Sequence, residues 1–164
     1  MHELRTLTEG ETRLLLPVFG DAVAYEAVRL SGGFGLSPIA AIALRRRRAD
    51  GVTVRSTIYF ARDLPRDFAA EGDEDQALLV HEIAHVWQWQ RLGVRRFLAR
   101  YVREYLGCGR DAAAMYLYSP RQKFEEARLE AQAQMLQDYY RGRARGEELG
   151  DLEASLAGSG FYGL

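Results

Sequence analysis

The chain has 164 residues, 48% hydrophobic and 27% charged, which is the composition of an ordinary globular protein and not of a disordered, fibrous or membrane-embedded one. A formal charge of −1 gives no general attraction to nucleic acid or an anionic membrane, and a single cysteine, Cys108, excludes an internal disulfide and reads as a buried structural thiol. No apolar run reaches the roughly 18 residues of a membrane span, and Met1-His2-Glu3-Leu4-Arg5 lacks a secretory leader's pattern, so one domain over residues 1–164, cytoplasmic by default, is expected.

In chain order, Thr8 and Glu11 form an S/T-x-x-E capping box ahead of Leu14-Leu15-Leu16, which predicts a short helix over 9–16 stopped by Pro17. Val23, Tyr25 and Val28 predict a strand within 22–30, ended by Ser31-Gly32-Gly33. Residues 39–44 fit a strand or a short helix equally well. The run Arg45-Arg46-Arg47-Arg48 and an Asp50-Gly51 turn signal come next. Val52, Val54, Ser56, Ile58 and Phe60 then alternate with Thr53, Arg55, Thr57 and Tyr59, which reads as one strand. Asp73 or Asp75 offers an N-cap to a helix with an apolar run from Ala77 to Trp87 and a C-cap glycine at Gly93. Being apolar nearly all round, this helix is expected to be central and buried. Val94, Phe97, Leu98, Tyr101, Val102, Tyr105 and Leu106 predict a second, amphipathic helix closed by Gly107. Cys108 to Tyr118 reads as a loop with one helical turn. Ser119-Pro120-Arg121-Gln122 then supplies a cap for a long helix to about Tyr140, and Glu147 to Leu156 a weaker one.

The central helix carries His81-Glu82-Ile83-Ala84-His85, an H-E-x-x-H motif that uses two of the three histidines in the chain. Positions i and i+4 share a helix face, so both imidazoles can reach one ion while Glu82, one step round, reaches water beside it. That chemistry is one Zn²⁺ held by two histidines, with the glutamate as general base. Two histidines leave zinc one protein ligand short. His2 lies in a terminus prone to fraying, and no third histidine follows His85 at the metzincin spacing. A carboxylate on the helix expected from Pro120 is the remaining source: Glu125, Glu126 or Glu130. Glu126 and Glu130 are i, i+4 neighbours, so one could bind the ion and the other support a histidine. Glu130 is favoured because its face also carries Ala127, Ala131 and Gln134, which would allow close approach; Glu126 is the second choice. The arginine run lacks interleaved aromatics and reads as a solvated turn or guarded strand edge, so neither nucleic acid nor membrane is an expected partner.

Several stretches are similar to a known family. Leu78-Leu79-Val80-His81-Glu82-Ile83-Ala84-His85-Val86-Trp87-Gln88 resembles the "LLVHELAHVWQ" core of small zincin-like domains of bacterial polymorphic-toxin, Rhs/VgrG-associated and contractile-injection proteins. Leu7-Thr8-Glu9-Gly10-Glu11 with Val18-Phe19-Gly20 resembles that family's "LT.GE…VFG" opening, and Ser56-Thr57-Ile58-Tyr59-Phe60 its "N.IYF" strand. Leu129-Glu130-Ala131-Gln132-Ala133 through Asp138-Tyr139-Tyr140 resembles "(I/L)EQQA…DYY", with Ala131 in place of Gln. This covers most of residues 7–140 and puts the family's glutamate on Glu130.

The resemblance implies an α+β zincin-like fold, with a small antiparallel or mixed N-terminal sheet packed on a helical half. It also implies a gluzincin-type zinc metallopeptidase that hydrolyses peptide bonds. Zincins bind an extended peptide along an edge strand, for which Thr57, Ile58, Tyr59 and Phe60 are the best candidates. A donor to the developing oxyanion is also needed, and Tyr116, Tyr118 and Tyr139 are candidates. The rival reading is a zincin scaffold that serves binding or assembly in a secretion or toxin-delivery system, with export by a specialised machine.

Overall fold

Residues 4–32 and 50–164 are described by a computed structural model. The arginine run, residues 39–44 and His2 lie outside the described residues.

Thr8 accepts the backbone N–H of Glu11 while the Glu11 carboxylate accepts that of Thr8, so the expected capping box starts α1 (Glu9–Phe19). The helix continues past Pro17 to Phe19: so close to the end, the missing N–H removes only one bond. Glu11 is fully buried, and its oxygens also accept Arg5 Nη2 at 2.7 Å, Arg5 Nη1 at 2.9 Å and the Phe68 N–H at 2.9 Å. One carboxylate thereby ties strand β1 (Leu4–Arg5) and the turn before the central helix to α1.

The stretch expected as a strand over 22–30 is a 3-10 turn at Tyr25–Ala27 followed by β2 (Arg29–Gly32). The alternating segment 52–60 is a hairpin: β3 (Gly51–Val54) and β4 (Thr57–Phe60) joined at Arg55-Ser56, with Arg55 at φ 58°. A two-residue connection shifts the face parity, so Ile58 and Phe60 share a face with Thr53 and Gly51, not with Val52 and Val54. The sheet runs β1-β2-β4-β3, with β2 and β4 parallel and the other pairs antiparallel. The molecule is thus α+β with a small mixed sheet. β4, expected at the edge, is hydrogen-bonded on both sides, and among the described residues β1 and β3 are the edges, β3 being the one beside the motif helix.

The long element α2 (Asp73–Gly107) is two helices joined at Gly93, whose φ of 71° and ψ of 168° break the helical path. Gly72, not Asp73 or Asp75, occupies its N-cap, and the acidic Asp73, Glu74 and Asp75 fill the positive first turn. The first half is buried from Ala77 through Trp89 except for Leu78 and Trp87, as its apolar circumference predicts. Cys108, just after the second half, is partly buried and not enclosed in the core.

The helix expected from Pro120 begins only at Leu129: α3 is Leu129–Arg145, followed by α4 (Gly150–Leu156). The Ser119 to Gln122 capping pattern closes a local turn instead, with the Ser119 N–H donating to Gln122 Oε1 at 3.0 Å and Arg121 at φ 61°. What starts α3 is distant in sequence. Glu104 of α2 accepts the Leu129 N–H at 2.8 Å, placing an anion at the helix N-terminus. Leu15 and Val18 of α1, Leu30, Ile58 and Phe60 of the sheet, Leu79 and Ile83 of α2 and Met135 of α3 meet in one core. No helix among the described residues is long and apolar enough to cross a membrane.

Candidate metal centre

The first half of α2 and the start of α3 bring His81, His85 and Glu130 together, each less than a tenth exposed. His85 Nε2 lies 3.2 Å from His81 Nε2 and 3.0 Å from Glu130 Oε2, and His81 Nε2 lies 3.6 Å from the same oxygen. Ligand atoms about 2.05 Å from a tetrahedral ion stand about 3.3 Å apart, so this triangle has the size of a zinc-ligand face.

The hydrogen-bond network also sets which lone pairs point inward. Gln88 donates through Nε2 to the Leu129 carbonyl at 2.9 Å and to Gln132 Oε1 at 3.1 Å, so its Oε1 must be an acceptor. His85 Nδ1–H therefore donates to Gln88 Oε1 at 2.8 Å, which leaves Nε2 a free lone pair facing the cluster. Two imidazole nitrogens and a carboxylate oxygen converging in a dry site repel one another unless a proton or a cation sits among them. Without an ion the proton is the substitute. Burial pulls the His85 imidazole down, but the Glu130 carboxylate outweighs it and lifts the group to about 9. Burial likewise pushes the Glu130 carboxyl up, and the two imidazoles more than reverse this, holding it well below the usual carboxylate range. The residues fit a divalent cation with mixed nitrogen and oxygen ligation.

Around the triangle, Tyr101 OH donates to Glu130 Oε1 at 3.1 Å, leaving Oε2 for the cluster. The Tyr116 ring stacks on His81 with centroids 5.9 Å apart. His81 Nδ1 is buried and has no hydrogen-bond partner among the described residues. Glu82, 3% exposed, faces the edge strand, and its Oε2 accepts Thr53 Oγ1–H at 2.7 Å. A Cβ on Gly51 would stand 2.7 Å from Glu82 Oε1, so only glycine lets the strand approach this closely. Trp89 Nε1 donates to the Thr53 carbonyl at 3.3 Å, holding the strand against the helix.

Not every expected residue is near the cluster. Glu126 is exposed, in a 3-10 turn before α3, because the helix that would have aligned it with Glu130 starts three residues later. Tyr118 donates to Asp138 and Tyr139 to Glu153, so of the three tyrosines only Tyr116 lines the cavity over His81. Thr53, Gln88, Tyr101, Glu104 and Gln132 were not anticipated. Gln88 had a signal, since it stands one turn from His85 on the same helix face; the others arrive by long-range packing.

The family model of the eCIS core domain matches residues 12–93, half the chain and including the H-E-x-x-H helix. The chain belongs to the eCIS core domain family. Among curated proteins it is similar to the type VI secretion system spike protein VgrG2b of Pseudomonas aeruginosa, 30% identical over 141 residues. That match covers 83% of this chain but only 13% of the spike protein, so the chain spans a small part of the relative's length. Among solved structures it is similar to the effector domain of Pseudomonas aeruginosa VgrG2b, with a TM-score of 0.68 and 30% identity, covering 94% of this chain and 82% of that one. Kinship with contractile-injection and VgrG proteins therefore stands on both sequence and fold.

Proposed function

We propose that this eCIS core domain is a zinc-dependent peptidase of gluzincin type, associated with a secretion or toxin-delivery particle. The observation that carries the reading is the convergence of His81, His85 and Glu130 beside a buried glutamate that is not one of the three. A site serving only structure has no use for a base at Glu82. His81, His85 and Glu130 would hold the ion, which when bound supplies Lewis acidity and lowers the pKa of water to near neutrality. The chain's own residues do the rest. Thr53 restrains one oxygen of Glu82, leaving the other to accept a proton from water and hand it to the leaving amine. Gln88 fixes the His85 tautomer and Tyr101 orients Glu130. Tyr116, which lines the cavity beside His81, is the tyrosine we assign as donor to the developing oxyanion.

A peptide would add to the sheet at β3. In the antiparallel ladder Asp50 bonds to Ala61 of the facing chain, so by alternation Gly51 and Thr53 turn their N–H groups away from β4. The Thr53 carbonyl is taken by Trp89 and Gly51 is buried, so the Thr53 N–H is the outward ladder group left for an incoming strand.

A second reading has a specific observation in its favour. The similar curated protein is named a spike protein, and a domain carried on a spike can act as a binding or assembly module. Both readings are separated by measuring zinc per chain and cleavage of a denatured-protein mixture for wild type, Glu82→Gln and Glu130→Ala. The peptidase reading expects one zinc in wild type and Glu82→Gln, less in Glu130→Ala, and cleavage by wild type alone. Cleavage by neither wild type nor Glu82→Gln, with zinc bound by both, transfers the function to binding or assembly. Absence of zinc from wild type ends the metal reading.

A further inference from the structure

We infer that the cavity beside the metal cluster selects a bulky apolar side chain next to the peptide bond to be cut; this deepens the peptidase reading and rests on it. The cavity holds about 190 Å³. An apolar cavity of about 150 Å³ is enough for a benzene ring, so a leucine or phenylalanine side chain fits. Its walls are Val54, Trp89, Phe97, Leu98, Tyr101 and Tyr116, with the cluster and Glu82 at its floor. Trp89 and Phe97 stack at 3.9 Å, making one rigid wall. Among the described residues no lysine or arginine lines it, so an acidic side chain would meet Glu82 and Glu130 with no counter-charge from that wall.

The apolar surface does not stop at the cavity. Beyond the Gly93 joint, Val94, Leu98, Val102 and Leu106 stand one turn apart and are 38%, 48%, 53% and 54% exposed. Leu98 belongs both to this stripe and to the cavity wall, so the stripe continues the trough away from the metal cluster. An uncovered apolar strip that opens into a polar site is what an extended apolar segment would cover. The second half of α2 also exposes Arg95, Arg96 and Arg103, which offers a membrane as the competing occupant. The peptide is favoured because the apolar surface runs into the cavity at the reacting groups.

The test uses zinc-loaded Glu82→Gln protein and fluorescent peptides that differ at one central position, read by anisotropy. Leucine and phenylalanine peptides are expected to bind on the order of 10-fold or more tighter than serine or aspartate peptides. Leu98→Asp should erase that difference with zinc content unchanged, and Leu98→Met should keep it. Equal affinity across the set, or a preference that Leu98→Asp leaves intact, overturns the inference. Wild type that cuts a denatured-protein mixture without apolar preference overturns it too and leaves the peptidase reading standing. Apolar selection in the binding assay without cleavage keeps the selective trough and removes the peptidase. Flotation with phosphatidylglycerol vesicles covers the competitor: vesicle binding lost in Leu98→Asp with peptide selection unchanged assigns the stripe to a membrane and overturns the inference.

Discussion

Gly51 is where the sheet meets the proposed base, and the space for a Cβ there is already filled by the Glu82 carboxylate. Gly51→Ala should push that carboxylate off Thr53 with no effect on zinc per chain. Displacing a catalytic group by about an ångström costs on the order of 100-fold in rate, so kcat for a peptide substrate is the quantity to measure. Tyr101 acts on the other side, through Glu130. Tyr101→Phe removes one hydrogen bond from Glu130, the proposed third ligand, and zinc affinity should fall by roughly 10- to 100-fold in a chelator competition. These two positions differ in how readable they were. His81, Glu82, His85 and Glu130 were legible because local helix spacing, a ligand count and a family resemblance concern types and intervals. Gly51 and Tyr101 were not, since their roles depend on a strand crossing the motif helix and on the turn of the chain at Gly93. Glu126 shows the opposite failure: its i, i+4 relation to Glu130 was sound arithmetic on a helix that had not yet begun.

Helix starts and strand breaks carry most of the differences at the scale of elements. The capping box of α1 lies within four residues and is legible locally, whereas α3 takes its anion from Glu104, on another helix. No window of sequence around Leu129 contains that partner. The hairpin at Arg55-Ser56 was hidden by an alternation that continued across the turn, and Arg55 is not a residue that advertises a positive φ. Gly93, by contrast, was anticipated as the end of the motif helix, and its φ and ψ fall in a region open to glycine almost alone. Gly93→Ala should cost about 1–3 kcal/mol. At this chain length that lowers the melting temperature by roughly 2–4 °C per kcal/mol, which calorimetry will show. A melting temperature unchanged by the substitution would mean that the joint carries no strain.

Among the described residues, several charged contacts line the seam between α2 and α3. Arg145 and Arg141 of α3 pair with Asp73 and Glu74 at the start of α2, and the histidine-glutamate cluster joins the same helices further along. The ion proposed for this cluster would grip both helices and so bind only the folded state. Adding zinc at about 100 times its dissociation constant should stabilise the protein by about 2.7 kcal/mol, and a chelator should reverse this in the same melting experiment. A melting curve indifferent to both would remove the ion from the account of stability.

The bracket formed by Gln88 reaches further than the orientation of one imidazole. Because it fastens His85 to the backbone of α3 through Leu129, this side of the proposed ion site is held by protein hydrogen bonds. Loss of the proposed ion would then leave a socket that keeps its shape, and uptake would ask for diffusion and dehydration, not for refolding. On the proposed reading, such a domain would take up its ion without rebuilding the site.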